Sequence, residues 1–241
     1  ATLGFRGEAL PSIGSVSHLT ITSRRKEADE AWSITVKGGV KSEPQPAAHG
    51  LGTTVDVRDL FYATPARLKF LKTSRTELNH ILDTVRRLAM AHPEVDFFLS
   101  DGGRQLIKLV NVQKDIIDSR LERLDAIMGN SFATNSIAIG ANREGLDLSG
   151  FAGLPTLNRG NASHQYLFVN GRPVRDKLLY GAVRGAYRDF LAHDRHPLIA
   201  LFLNVSPDTV DVNVHPAKTE VRFRDPGLVR GLIVSALKHA L

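Results

Sequence analysis

The 241-residue chain contains no cysteine, which excludes disulfide bridges, thiol chemistry and cysteine-ligated zinc sites. This composition is typical of a protein from a reducing interior, so we expect a cytoplasmic location. No run of the sequence approaches the roughly 18 consecutive apolar residues that a membrane span needs. The first ten residues include Arg6 and Glu8, where a signal peptide would carry its apolar core. The sequence therefore predicts a soluble chain with no membrane association.

Hydrophobic residues make up 42% of the chain, enough at this length for one large or two small folded cores. Lysine and arginine number 31 against 25 for aspartate and glutamate, giving a net charge of +6 at pH 7. This excess has two interpretations, simple solubility or attraction to a polyanion such as nucleic acid. Charge alone does not separate them.

The first half of the chain alternates strand and helix patterns. A short helix is predicted after Gly7, and the Gly- and Pro-rich stretch 38–52 predicts a loop. Ser74 and Glu77 form a capping-box pattern ahead of a long amphipathic helix that ends near Pro93. Apolar alternation predicts half-buried strands over residues 19–23, 32–36, 53–57, 95–100 and 105–110.

After residue 112 the alternation stops, and we place a domain boundary between residues 113 and 114. Helices are predicted over residues 121–128 and 177–191, and from Asp225 onward, where an N-cap aspartate precedes a proline. Strands are predicted over residues 136–139, 165–169, 198–205 and 210–214. Strand-rich segments alternate with single helices in both halves, which favours an α+β fold with two domains and two layers over a bundle or a sandwich.

A glycine-rich loop opens the chain, with Gly4 and Gly7 on either side of Arg6 and a helix directly after. Such a loop can aim backbone N–H groups and the positive end of a helix dipole at a phosphate. An ordinary turn is the alternative, and Glu8 in a first helical turn is favoured by the dipole alone.

Five sequence motifs carry a resemblance to a known family, and they follow the family's order over nearly all of the chain. They are GFRGEAL at 4–10, HGLGTT at 49–54, DLFYATPAR at 59–67, FVNGR at 168–172 and DVNVHPAK at 211–218. Together they resemble the MutL family of DNA mismatch repair proteins, which belongs to the GHKL ATPase superfamily.

The resemblance implies an ATP site built from the first, second and last of these motifs. The triphosphate-binding residues it implies are Phe5, Arg6, Gly7, Glu8, Ala9 and Leu10, with Thr53 closing the pocket from a strand. Lys218 follows a strand that Pro216 interrupts, and the family's matching lysine contacts the γ-phosphate, where a point charge stabilises the transition state. A solvated loop lysine is the alternative for Lys218, and we expect His215 to be structural instead of a metal ligand.

The family also implies a division of the chain. Residues 1–113 would form the C-terminal part of the GHKL ATPase domain, and residues 114–241 a transducer domain with a ribosomal-protein-like βαβ layer. In the family an acidic general base, a magnesium-binding asparagine and an Asp-x-Gly-x-Gly loop precede the first motif, and none of these occurs in this sequence. We therefore expect ATP and magnesium to serve the intact protein, with no metal site, no tight nucleotide binding and no turnover by this chain alone.

The partners that the resemblance implies are DNA bound without sequence preference, the mismatch-recognition protein MutS, a downstream nuclease and helicase, and a second copy of the intact protein. Helical spacing supports the DNA contact independently, because Lys177, Arg184 and Arg188 fall opposite an apolar stripe that includes Phe190. Arg172 and Arg175 precede that helix and extend the basic patch. A solvated helix face is the alternative for these residues. A non-enzymatic nucleic-acid-binding module is the alternative for the whole chain.

Overall fold

The computed structural model describes residues 7–111, 116–211 and 220–241. Contacts divide the chain into two compact units, Ala1–Leu78 and Asn79–Leu241, and both units mix helices with strands. The boundary predicted between residues 113 and 114 lies within the second unit and remains a proposal about family domains. Among the described residues, no helix is both long and apolar enough to cross a membrane.

The first unit is an antiparallel sheet in the order β3-β2-β1-β5, with β4 also paired to β2. Its elements are α1 (Ala9–Gly14), β1 (His18–Arg24), β2 (Ala31–Lys37), β3 (Val40–Lys41), β4 (Gln45–Ala47), β5 (Gly52–Arg58) and α2 (Pro65–Leu68). The short helix and the three predicted strands are confirmed to within one residue at each end of the strands.

Two details of this unit differ from prediction. The stretch 38–52 was predicted as a loop but contains β3 and β4, because Gly38 and Gly39 adopt positive φ and return the chain onto β2. In β5 the alternation predicted one buried face, yet Val55 and Val57 are 46% and 41% exposed. The reason is position, since β5 lies at the edge of the sheet.

The long helix α3 (Ser74–Ala91) forms as predicted, but its N-terminal cap differs. The Thr73 hydroxyl accepts from Thr76 N at 3.4 Å, and the Glu77 carboxylate accepts from Lys72 N at 2.8 Å. Thr73 therefore takes the capping place predicted for Ser74. The strands predicted over residues 95–100 and 105–110 follow as the hairpin β6 (Phe97–Asp101) and β7 (Arg104–Leu109). This hairpin packs on α3 through Ala89 and Ile107.

The second unit contains a five-stranded sheet in the order β12-β11-β14-β9-β8, in which β11 and β14 are parallel. Its remaining elements are α4 (Ile116–Met128), β8 (Ser136–Arg143), β9 (Leu146–Gly153), β10 (Asn158–Arg159), β11 (Gln165–Val169), β12 (Arg172–Val174), α5 (Lys177–Tyr187), β13 (His196–Pro197), β14 (Ile199–Asn204), β15 (Val210–Asp211), β16 (Arg222–Phe223) and α6 (Pro226–Ala240). Helix α5 lies between the parallel strands β11 and β14 in sequence, so this part of the chain is a βαβ unit.

Helices cover both faces of this sheet, whereas the prediction of two layers placed helices on one face only. On β14, Ile199 and Leu201 face the cluster that α5 and α6 complete, whereas Ala200 and Phe202 face the cluster that includes Leu124 of α4. A strand buried on both faces needs apolar residues at successive positions, which explains the apolar runs over residues 166–169 of β11 and 199–203 of β14.

Further differences concern the second unit. Strands β9, β10, β12, β13 and β16 were not predicted, and α5 ends at Tyr187 instead of Leu191. Because the helix stops early, Phe190 lies outside the apolar stripe assigned to it and is 45% exposed. The strand predicted over residues 210–214 begins as β15, and its last three residues lie outside the described ones.

Candidate functional site

The glycine-rich motif near the start of the chain is described from Gly7 onward; Phe5 and Arg6 lie outside the described residues. Gly7 has a φ of 65°, which permits the turn into α1, and Glu8 occupies the N-cap position without making a side-chain cap. Ala9 and Leu10 begin the helix, and all four residues from Gly7 to Leu10 are exposed. These residues are therefore exposed to solvent at the point where the resemblance implies a triphosphate.

Thr53 lies on β5, where its hydroxyl is 2.8 Å from that of Ser23 on β1. Its neighbour Thr54 is bonded to His49, whose Nε2 is 2.7 Å from the Thr54 Oγ1. This hydrogen bond joins the first and last residues of the HGLGTT motif. Thr53 remains exposed, with one hydrogen-bond partner already in place.

Lys218, the predicted γ-phosphate contact, lies outside the described residues, as do Pro216 and His215. The motif begins on β15, where Asp211 pairs in register with Arg222 of β16.

The basic face predicted for α5 is confirmed as an exposed surface. Asp176 caps the helix by accepting from Leu178 N and Leu179 N at 2.9 and 3.2 Å. Lys177, Arg184 and Arg188 are exposed. On the opposite side of the helix, the buried residues are Leu179, Ala182, Val183, Ala186 and Tyr187.

These three cations line an open groove of about 850 Å³, here called the basic groove. Its wall adds Arg195, and Arg184 Nη2 donates to His193 Nε2 at 2.8 Å. The full lining is Ala162, Gln165, Lys177, Tyr180, Gly181, Arg184, Gly185, Tyr187, Arg188, Leu191, Ala192, His193, Arg195, His196 and Pro197. Within the described part of the chain, no carboxylate belongs to this lining, so the groove has the charge of a polyanion-binding surface.

Arg172 and Arg175 are not in the groove lining. Arg172 is half-buried on β12, after a turn in which Asn170 and Gly171 both have positive φ. Arg175 Nη2 donates to Asp83 Oδ2 at 2.6 Å, so this guanidinium already has a carboxylate partner. Burial opposes ionisation of Asp83, but the hydrogen bonds and charges of Arg87 and Arg175 outweigh it and hold the Asp83 pKa below its usual range.

Sequence reasoning missed Arg195, His193 and His196 as part of the groove. A signal was available, because His193-Asp194-Arg195-His196 places three basic side chains in four residues shortly after a basic helix. No group of three metal-ligating side chains comes together among the described residues. We therefore assign no magnesium ligand to them.

Comparison with known proteins connects this geometry to one family. Residues 124–241 match the family model described as DNA mismatch repair protein, C-terminal domain. The "DNA mismatch repair protein MutL" of Rhodospirillum rubrum is 66% identical over 240 residues, covering 100% of this chain and 38% of that protein. A solved structure, "Aquifex aeolicus MutL ATPase domain complexed with ADP", is 30% identical with a TM-score of 0.68, covering 94% of this chain and 76% of that one. The chain belongs to the MutL family of DNA mismatch repair proteins.

A second solved structure, titled "Crystal Structure of N terminal domain of a DNA repair protein", has a TM-score of 0.80 at 21% identity and supports the fold alone. The fold is accordingly a mixed α/β fold of the MutL ATPase-domain type. The chain spans less than two fifths of the length of its Rhodospirillum rubrum MutL relative.

Proposed function

We propose that this chain is the DNA-binding and nucleotide-responsive part of a MutL-type mismatch repair protein whose intact form hydrolyses ATP. In that protein, ATP binding and hydrolysis drive a clamp that couples mismatch recognition by MutS to a downstream nuclease and helicase. The proposal includes a homodimeric intact protein in the cytoplasm, and the division of this chain into a partial ATPase domain and a transducer domain.

The basic groove is the observation that supports DNA binding. Lys177, Arg184, Arg188 and Arg195 supply four cations to one concave surface. Phosphate contacts of this type carry no base preference, and each one contributes to the steep loss of affinity with added salt. If the basic face of α5 were only a solvated helix face, its cations would come from α5 alone. Here Arg195, from the segment after α5, adds a cation to the same surface.

For the nucleotide, we propose that Phe5, Arg6, Gly7, Glu8, Ala9, Leu10 and Thr53 contact ATP and that Lys218 neutralises its γ-phosphate. The exposure of Gly7 to Leu10 supports this role, and the Aquifex aeolicus relative is complexed with ADP. Magnesium, when bound, would neutralise phosphate charge; the described residues supply no ligand set for it.

The DNA proposal is tested by titrating a fluorescent duplex with the 241-residue chain at several salt concentrations. Lys177→Glu and Arg184→Glu should each weaken binding at least tenfold at low salt, with equal effect on duplexes of unrelated sequence. Lys108→Glu is the matched control, because Lys108 is exposed on β7 and lines neither the groove nor another described cavity. Equal affinity of all three variants and the original chain would refute the groove as the DNA site.

Nucleotide response separates the proposal from a non-enzymatic nucleic-acid-binding module. A longer chain that restores the preceding family motifs should change its DNA affinity when a non-hydrolysable ATP analogue is added, and Lys218→Ala should reduce that change. The 241-residue chain alone should show no ATP turnover. DNA binding that is indifferent to nucleotide in the longer chain would favour the non-enzymatic module.

A further inference from the structure

A second charged cavity of about 700 Å³ lies between α5 and α6 and is here called the helix cleft. Arg230 and Lys238 of α6 line it, together with Arg188 at the end of α5. Its complete lining is Gly185, Arg188, Asp189, Gly227, Arg230, Gly231, Val234 and Lys238. Arg230 and Lys238 are not among the predicted DNA-binding residues.

The charge of the helix cleft is positive by two. Arg188, Arg230 and Lys238 oppose one carboxylate, Asp189, and all four side chains are exposed. Three of the other lining residues are glycines, so part of the wall is peptide backbone that a bulky ligand can approach closely. Arg143 is not part of the lining, but its Nη1 would lie 3.8 Å from a Cβ on Gly231, so a further cation lies near that glycine.

The helix cleft and the basic groove share Arg188 and Gly185. The two cavities therefore adjoin at Arg188, with Lys177 and Arg184 in the basic groove and Arg230 and Lys238 in the helix cleft. A small anion would need one of these sites, whereas a polymer with a phosphate at each repeat can occupy both. We propose that the helix cleft is a second phosphate-binding segment of the DNA path, continuous with the basic groove through Arg188; this rests on the proposed function.

The carboxylate of Asp189 opposes phosphate binding in the helix cleft. Lys238 Nζ lies 3.0 Å from Asp189 Oδ2, and the hydrogen bond from Lys238 holds the Asp189 pKa below its usual range. At neutral pH the carboxylate is charged, repels a phosphate and occupies the ammonium group that would bind it. Removing this one charge should therefore strengthen DNA binding, but only while Lys238 is present.

The test is a salt titration of a duplex longer than the basic groove, using the 241-residue chain. Each phosphate contact adds about 0.9 to the slope of log affinity against log salt. The double variant R230A/K238A should lower that slope by about 0.9 to 1.8, the smaller value applying if Asp189 keeps Lys238 from the phosphate. Between 50 and 200 mM salt, its loss of affinity should therefore be about 3- to 12-fold smaller than that of the original chain. The matched control is R104A/K108A, which removes two exposed cations from β7.

A second variant removes a negative charge from the helix cleft and should strengthen DNA binding instead of weakening it. Asp189→Asn should tighten binding to the long duplex, and the combination with Lys238→Ala should abolish the gain. On a duplex too short to leave the basic groove, neither R230A/K238A nor Asp189→Asn should matter.

The outcomes separate the two proposals. If Lys177→Glu weakens binding while R230A/K238A and Asp189→Asn behave like the control, the helix cleft is not part of the DNA path and the proposed function stands. If the original chain binds no duplex at any salt concentration, both proposals fail. A gain from Asp189→Asn that persists without Lys238 would contradict the role given to that pair.

Discussion

Arg87 and Arg175 donate to the same oxygen of Asp83, at 2.9 and 2.6 Å. Arg87 is buried, and its guanidinium lies 4.8 Å from the centre of the Tyr166 ring on β11. One carboxylate thus joins α3 to Arg175, two residues before α5, where the basic face begins. Without it, a buried cation would lose its counter-charge.

We expect Asp83→Asn to lower the free energy of unfolding by roughly 1–3 kcal/mol, because it leaves Arg87 buried without its charged partner. The folded-state pKa of Asp83 is depressed, so its contribution is present above the unfolded pKa of about 3.9 and is lost as pH falls through the folded value. Urea unfolding at pH 7 and below pH 4 measures both effects. Asp147→Asn, at an exposed position on β9, is the control; an equal and pH-independent loss in both variants would contradict the assignment.

Gly150 predicts a second stability effect, because β9 passes very close to β14 at this position. Its φ is 143°, and a Cβ there would overlap the carbonyl oxygen of Ala200 and lie 3.0 Å from the Cα of Leu201. Gly150→Ala should therefore destabilise the chain by about 2–4 kcal/mol. Gly140→Ala on neighbouring β8, where a Cβ would meet nothing within 4 Å, should cost far less. Similar unfolding midpoints for the two variants would exclude this close approach.

The same glycine explains why β9 was not predicted. The segment LDLSGFAG has two glycines, which lower strand propensity and interrupt the alternation that revealed β1 and β2. The close approach to β14 requires a glycine at position 150, and pairing between strands that are distant in sequence cannot be predicted from local sequence. By contrast, α3 was predictable from the helical spacing of its apolar residues, and β11 and β14 from their runs of consecutive apolar residues.

The residues of the candidate site also divide into those that local sequence predicts and those that only the tertiary fold brings together. Lys177, Arg184 and Arg188 were predictable because one helix carries them at regular spacing. Arg195 joins them only through the return of the chain after α5, and the partnership of Arg175 with Asp83 depends on a residue 92 positions earlier. Local periodicity identifies a face of one element, whereas a groove or an ion pair requires the tertiary fold.

His164 predicts a pH effect on stability. Burial lowers its pKa, and the nearby charges of Arg159 and Arg86 lower it further, so the folded chain favours the neutral ring. The unfolded chain binds a proton near pH 6.5, and stability therefore falls as pH drops below that value towards the folded pKa.

His164→Gln should remove part of the stability loss between pH 7.5 and 5, measured by urea unfolding at each pH. His80→Gln, at an exposed position on α3, should leave the loss unchanged. If both variants follow the pH profile of the original chain, the folded chain does not disfavour the protonated form of His164.

Arg195 provides a test of the groove by a residue that the helix pattern does not contain. It lies in the segment after α5 and lines the basic groove with Lys177 and Arg184. If phosphates bind there, Arg195→Ala should reduce the slope of log affinity against log salt by about 0.9 and weaken all duplex sequences alike. Arg104→Ala, on the β6–β7 hairpin, controls for the loss of one charge. A simple solvated face would lower the slope equally in both variants, because only the net charge would count; a difference between them locates the contact in the groove.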